Sequence, residues 1–286
     1  MSSTINTEPS VVELHDPHLY ERCAIVPAVS GGFDAITDAH VQQYRELGFL
    51  SIDDAFTPDE VQAGIDGLLH LIAGGNPEFR SIQFEARARE ILPTLSIEQR
   101  QDAVRKLMYF TEFEARLKAL SHHSKLLSTV GRLLETESTL NMFQDMALLK
   151  PPHLGREKPW HQDKAYFDID MREPVVGVWV ALDEATPDNG CMHLLPELGR
   201  VPHLHFQRRD WQICDSQILG KSCIAAPLKP GGVLLFDGLL VHGTPHNGSD
   251  MRRRAVQFHY HGNRFAKVET EVRLSIFGGE GANVEC

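Results

Sequence analysis

The sequence predicts a β jelly roll buttressed by helices on one face, and three observations carry that prediction. Apolar residues at helical spacing dominate the first part of the chain. After about residue 137 they give way to short β-prone runs. Turn chemistry rich in Pro, Gly, Asn and Asp separates those runs. The 286 residues are enough for one large domain. We divide them into an arm at 1–35 and a single unit at 36–286, its helical part at 36–136 and its jelly-roll core at 137–262.

The arm is polar, with scattered Pro and Gly, and is expected to wrap the domain. Asp38 reads as the N-cap of a first helix. Val41, Tyr44 and Leu47 form its apolar face, and Gly48 stops it. Phe49–Ile52 reads as a short strand. Thr57-Pro58-Asp59-Glu60 starts a second helix: Thr57 caps, Pro58 fills the first turn, and Glu60 closes a capping box. Val61, Ile65, Leu68, Leu69 and Ile72 follow at helical spacing, and Gly74-Gly75 ends the run. Ser96, with Gln99 three residues on, opens a third helix whose apolar side is Leu107, Phe110, Phe113 and Leu117. A fourth spans Ser124 to about Leu134. The strands then follow at Thr139–Leu149, Val175–Leu182, Met192–Leu195, Ile224–Leu228, Val233–Phe236 and Arg253–Tyr260. Helices first and strands later place the helices on one face of the sheet.

Composition limits the function. The net charge is −11, and an acidic surface disfavours nucleic acid and anionic lipid. No apolar run reaches the roughly 18–20 residues of a membrane span. The five cysteines are odd in number and include no C-x-x-C pair. That pattern argues against a disulfide framework or thiolate zinc site and for a reducing, cytoplasmic setting.

The chemistry centres on Trp160-His161-Gln162-Asp163. On an extended strand, residues i and i+2 share a face, so His161 and Asp163 converge while Gln162 turns away. A third candidate, His242, ends the run Phe236–Val241. Two imidazoles and one carboxylate on one octahedral face leave three positions open, the arrangement an oxygen-activating ferrous site needs. The chain has 15 histidines, so an isolated H-x-D pair carries little by itself. Its weight comes from the combination. Arg253 lies eleven residues after His242 and starts a strand. Its partner face, Arg254-Val256-Phe258-Tyr260, is the apolar one and should pack under the helices, which turns Arg253 into the lumen. A buried guanidinium needs an anion, and its fork matches a carboxylate. Parity leaves Arg254 as the alternative if the register slips by one. Arg252 reads as part of a solvated turn.

These residues resemble the phytanoyl-CoA dioxygenase family. The likeness rests on His161-Gln162-Asp163, the run Val178 to Met192, Asp237-Gly238 to His242-Gly243, and Asn247 to Asp250. It covers roughly residues 38–262. One departure is Gly231-Gly232, where the family usually has Gly-Asp. The resemblance implies a double-stranded β-helix fold, Fe(II), 2-oxoglutarate and O2. It assigns His161, Asp163 and His242 to iron and Arg253 to the distal carboxylate of 2-oxoglutarate. It places Trp179, Met146 and a helical lysine, Lys106, beside the same co-substrate. Asp163 argues against chlorination, because related halogenases carry a small residue there.

The implied reaction oxidises, by hydroxylation, an aliphatic C–H of a small molecule and releases succinate and CO2. Lys164, Tyr166 and Phe167 are candidates for the substrate wall. Arg208, Arg209 and Trp211 lie in a long segment between strands, where a basic lid would select an anionic substrate. Two other readings remain open from the sequence. One is a metal-binding jelly roll without turnover. The other is a metal isomerase or lyase that needs no 2-oxoglutarate.

Overall fold

The computed structural model describes residues 13–279, apart from positions 22, 86, 87, 89, 90, 138, 263 and 264. Alternation of side chains builds two facing sheets. The larger runs β2–β12–β7–β14–β5–β4–β3. Its strands are β2 (Phe49–Ile52), β3 (Ile82–Phe84), β4 (Val104–Met108), β5 (Leu140–Lys150), β7 (Val176–Ala181), β12 (Val233–Asp237) and β14 (Arg253–Gly262). The smaller runs β1–β11–β8–β13–β6. Its strands are β1 (Cys23–Ile25), β6 (Lys158–His161), β8 (Met192–Leu194), β11 (Cys223–Ala226) and β13 (His242–Thr244). A hairpin of β9 (His205–Gln207) and β10 (Trp211–Ile213) lies in the connection from β8 to β11. This is the expected jelly roll.

Helices α1 (Asp38–Leu47), α2 (Pro58–Ile72), α3 (Ile97–Arg100), α4 (Ala115–Ser121) and α5 (Ser124–Leu133) come before the central strands, while α6 (Asp215–Ile218) and α7 (Thr270–Phe277) come late. The outer face of β14 supplies Val256, Phe258 and Tyr260 to one apolar cluster with Leu68 and Leu71 of α2, Leu117 of α4 and Leu126 of α5. The Tyr260 hydroxyl donates to the Ser121 carbonyl at 2.6 Å, so its polar end is satisfied inside that layer. The Thr57–Glu60 capping box forms as expected: the Thr57 N–H donates to the Glu60 carboxylate at 2.8 Å.

Three expectations need correction. The N-cap of α1 is Thr37, one residue before Asp38, and the Thr37 N–H donates to His40 Nδ1 at 3.2 Å. The helix opened by Ser96 lasts only to Arg100, and residues 104–108 form β4. Local spacing suggested a longer helix, but β4 completes the ladder of the larger sheet beside β5. The chain then turns at Tyr109, with φ +58°. The buried Asp145 carboxylate holds that turn by accepting the Phe110 and Thr111 N–H groups at 3.1 and 2.9 Å.

The third correction concerns the cysteines. Cys23 and Cys223 form a disulfide, although a disulfide-free chain was expected. Parallel pairing of β1 with β11 sets the two residues opposite each other, with Cα atoms 4.3 Å apart. A sequence separation of 200 hides that juxtaposition. It ties the arm to the smaller sheet. Tyr20 of the arm also stacks on Trp160, ring centroids 5.1 Å apart, directly behind the strand that carries His161. Among the described residues no helix is long and apolar enough to cross a membrane.

Candidate metal centre and co-substrate pocket

β6 and β13 are antiparallel neighbours, and their register sets His161 opposite His242. Asp163 follows at the start of a 3-10 turn (Asp163–Tyr166) as β6 ends. Gln162, fully buried, turns away as parity predicts: its amide donates to the carbonyls of Val201 and Leu239 and accepts from the His203 N–H. One ligand atom from each of His161, Asp163 and His242 lies within 4.8 Å of the others. Asp163 Oδ1 stands 3.3 Å from His161 Nε2 and 3.6 Å from His242 Nε2.

The tautomers suit a cation. His161 Nδ1 lies 2.7 Å from the Pro159 carbonyl, and His242 Nδ1 lies 2.9 Å from the Leu240 carbonyl. Each Nδ1 must donate there, which leaves each Nε2 lone pair facing the centre. Burial, reinforced by His242 and Lys158, pushes the His161 pKa down to about 4, so its imidazole is neutral. Burial works against ionisation of Asp163, but His242 and His259 outweigh it and hold the carboxyl well below its usual range. Two imidazole Nε2 lone pairs and one carboxylate oxygen are a donor set that fits Fe(II).

The triad lines one cavity of about 180 Å³. The same cavity is lined by Arg253, Met146 and Lys106. Arg253 is 1% exposed, and its Nε has no hydrogen-bond partner. Its Nη1 donates to the Leu148 carbonyl at 2.9 Å, and no carboxylate among the described residues forms an ion pair with it. Burial lowers its pKa to about 10. Arg254 faces the other way and forms a two-pronged pair with Asp183 at 2.7 and 2.8 Å, which resolves the parity question in favour of Arg253. Trp179 does not line the cavity. It supports Arg253 from behind, the guanidinium carbon 5.4 Å from the ring centroid. Lys106 does reach the cavity, but from β4 and not from a helix.

Of the candidate substrate-wall residues, Tyr166 and Phe167 line the cavity. Lys164 does not: its ammonium donates to the carbonyls of Asp170, Met171 and Glu173. The basic lid is also corrected. Arg209 pairs with Glu157 and Asp215, and Arg208 with Glu13 and Asp215. Both arginines therefore have carboxylate partners within the fold, Arg209 in a buried pair and Arg208 near the surface. It is Asp210 that the segment presents to the cavity, bonded to Lys158 at 2.8 Å.

Sequence reasoning missed four residues around the site. Thr244 lies two residues after His242 and lines the cavity, a position strand parity alone could have found. Lys150, opposite Arg253 in the ladder, is buried and donates to the carbonyls of Arg156, Thr244 and Pro245. A side chain at Gly155 or Gly190 would come within 2.5 or 2.7 Å of Lys150, so both glycines make room for it. Gln257 and His259 share the Arg253 face of β14, which the alternation of that strand implies.

Comparison with known proteins agrees with this geometry. The phytanoyl-CoA dioxygenase (PhyH) profile matches residues 44–255. The chain belongs to the phytanoyl-CoA dioxygenase family. It is 27% identical over 263 residues to phytanoyl-CoA dioxygenase domain-containing protein 1 of Danio rerio, across 79% of this chain and 90% of that protein. Among solved structures it resembles EvdO2 from Micromonospora carbonacea var. aurantiaca, with a TM-score of 0.62 and 26% identity over 88% of this chain and 99% of that one. It also resembles EctD from S. alaskensis, solved with 2-oxoglutarate and 5-hydroxyectoine, with a TM-score of 0.63 and 20% identity over 88% and 84% of the two chains. As a family member with this triad, the chain is an oxidoreductase of the Fe(II)- and 2-oxoglutarate-dependent class, which uses O2.

Proposed function

We propose that the protein hydroxylates an aliphatic C–H of an anionic small molecule, with 2-oxoglutarate and O2 converted to succinate and CO2. In this balance one oxygen atom enters the new alcohol and the other enters succinate. The observation that carries the reading is the pairing of two features in one cavity: a triad of two histidines and one aspartate, and a buried guanidinium without a carboxylate partner. His161, Asp163 and His242 would hold the iron, which supplies the O2 chemistry when bound. Arg253 would take the distal carboxylate of 2-oxoglutarate, with Trp179 bracing the guanidinium. Met146 and Lys106 line the same space, and Thr244 reaches it from the smaller sheet. The chain's part is mostly positioning and the exclusion of water.

Charge favours an anionic substrate. The whole chain carries −11, yet this cavity is lined by the basic side chains of Arg105, Lys106, Lys150, Arg156, Lys158 and Arg253 against Glu157, Asp163 and Asp210; Arg156 pairs with Glu85, Lys158 pairs with Asp210, and burial lowers the Lys150 pKa. A focused positive cavity in an acidic protein draws in anions. 2-Oxoglutarate would meet Arg253, and a substrate carboxylate or phosphate would meet the other basic side chains of the lining. Phe167 and Met108 give the same cavity apolar contact area for the carbon skeleton.

The test is anaerobic reconstitution with Fe(II) followed by 2-oxoglutarate. A visible metal-to-ligand charge-transfer band should form in the wild type and be absent in Asp163→Ala. Calorimetry that detects no 2-oxoglutarate binding to the iron-loaded protein would sink the reading. Succinate release across a panel of matched anionic and neutral compounds would test the substrate class, and preference for neutral ones would overturn it.

A further inference from the structure

Asp163 carries two oxygens, and the triad uses only one. Oδ1 faces both histidine ligands, while Oδ2 faces the opposite sheet. There His259 Nε2 stands 2.7 Å from it and Gln257 Nε2 3.1 Å. Both side chains come from the lumen face of β14, two residues apart, and are 0% and 3% exposed. We infer that His259 and Gln257 are positioning residues that hold Asp163 by Oδ2 and so fix which oxygen is offered to the metal. This rests on the reading of the triad as the iron site.

Hydrogen-bond accounting separates His259 from the ligand histidines. His161 and His242 each turn Nδ1 to a backbone carbonyl and keep Nε2 as a lone pair. His259 is the reverse: its Nδ1 is buried with no partner. A proton on that atom would be an unsatisfied buried donor, so the proton belongs on Nε2, directed at Asp163. With its lone pair away from the centre, His259 cannot ligate without changing tautomer. Aromatic rings hold it in that pose, Phe167 edge-on at 4.9 Å and Phe143 tilted at 5.9 Å. The Gln257 amide donates to the same oxygen, so two donors compete with any metal contact there. The two donors would thus restrict the carboxylate to offering one oxygen to a bound metal.

Arg253 and His259 lie on one strand, both paired with β5, and His259 is paired with β7 as well. A single strand therefore sets both the co-substrate anchor and the orientation of the metal carboxylate.

Metal affinity and spectra of the metal-free, full-length protein test this. His259→Leu should weaken Fe(II) or Co(II) affinity, measured anaerobically by calorimetry, by roughly 10–100-fold. His259→Gln, which keeps a donor, should recover most of that loss. The charge-transfer band of the iron–2-oxoglutarate complex should shift in His259→Leu, while 2-oxoglutarate affinity at saturating metal stays within about twofold, because Arg253 is untouched. Wild-type metal affinity in a folded His259→Leu protein would overturn the inference. So would complete loss of binding equal to Asp163→Ala, which would make His259 a ligand. If His259→Leu does not fold, Gln257→Leu decides: a weaker metal site with an unchanged melting temperature supports the clamp, and an unchanged site refutes it. A wild-type protein that binds no metal would overturn the underlying site reading as well, and is distinguishable by that fact.

Discussion

The two faces of β14 are equally dry and do opposite work. Arg253, Ala255, Gln257 and His259 point into the lumen, and Val256, Phe258 and Tyr260 point under the helices, and each of them is at most 3% exposed. Burial alone therefore does not separate function from packing. What separates them is the partner. The outer side chains meet other hydrocarbon, with one satisfied hydroxyl. The lumen side chains meet Asp163, a cavity and an unfilled hydrogen-bonding direction on Arg253. Adjacent Arg253 and Arg254 show the same split: Arg254 has its carboxylate within the fold, and Arg253 does not.

Substitutions on the two faces should break this comparison cleanly. The largest effect is expected on the outer face. Phe258→Ala should cost about 3–5 kcal/mol of stability, read by denaturant unfolding, because a fully buried ring leaves a cavity. The fraction that remains folded should still bind one metal. Next comes Arg253→Met. Loss of a charged pair with a carboxylate should weaken 2-oxoglutarate affinity by roughly 100-fold, about 3 kcal/mol. Its melting temperature should hold or rise, since an apolar side chain replaces a buried charge. A collapse in stability instead would mean that the lumen face is core like the other. The smallest effect is expected at Arg254→Met: about 1 kcal/mol of stability, with 2-oxoglutarate affinity unchanged.

Much of the site was legible from periodicity. Strand alternation separated Gln162 from His161 and Asp163, and Arg253 from Arg254. It worked because a β-strand has a two-residue repeat, and the irregularities of these ladders leave the parity of the site residues intact. Thr244 was legible by the same rule and went unread. The helix at Ser96 failed for the converse reason. Leu107, Phe110, Phe113 and Leu117 have helical spacing, but pairing of β4 with β5 and the Asp145 cap on the following turn overrode local preference. Lys106 kept its place in the cavity while its element changed. The basic lid failed because Glu13, Glu157 and Asp215 lie far from or beside the arginines in sequence with nothing to mark them as partners.

The sequence by itself determined the residue types of the candidate metal triad, the face on which each side chain lies, and the family the chain belongs to. Those follow from local repeat and motif, which are properties of neighbouring residues. Only the tertiary structure decided which groups meet across long separations: His161 opposite His242, Cys23 opposite Cys223, and His259 and Gln257 on Asp163. Such pairings depend on strand order and register. Alternation and turn geometry restrain register within a pair, but which distant strands become neighbours is set by the packing of whole sheets.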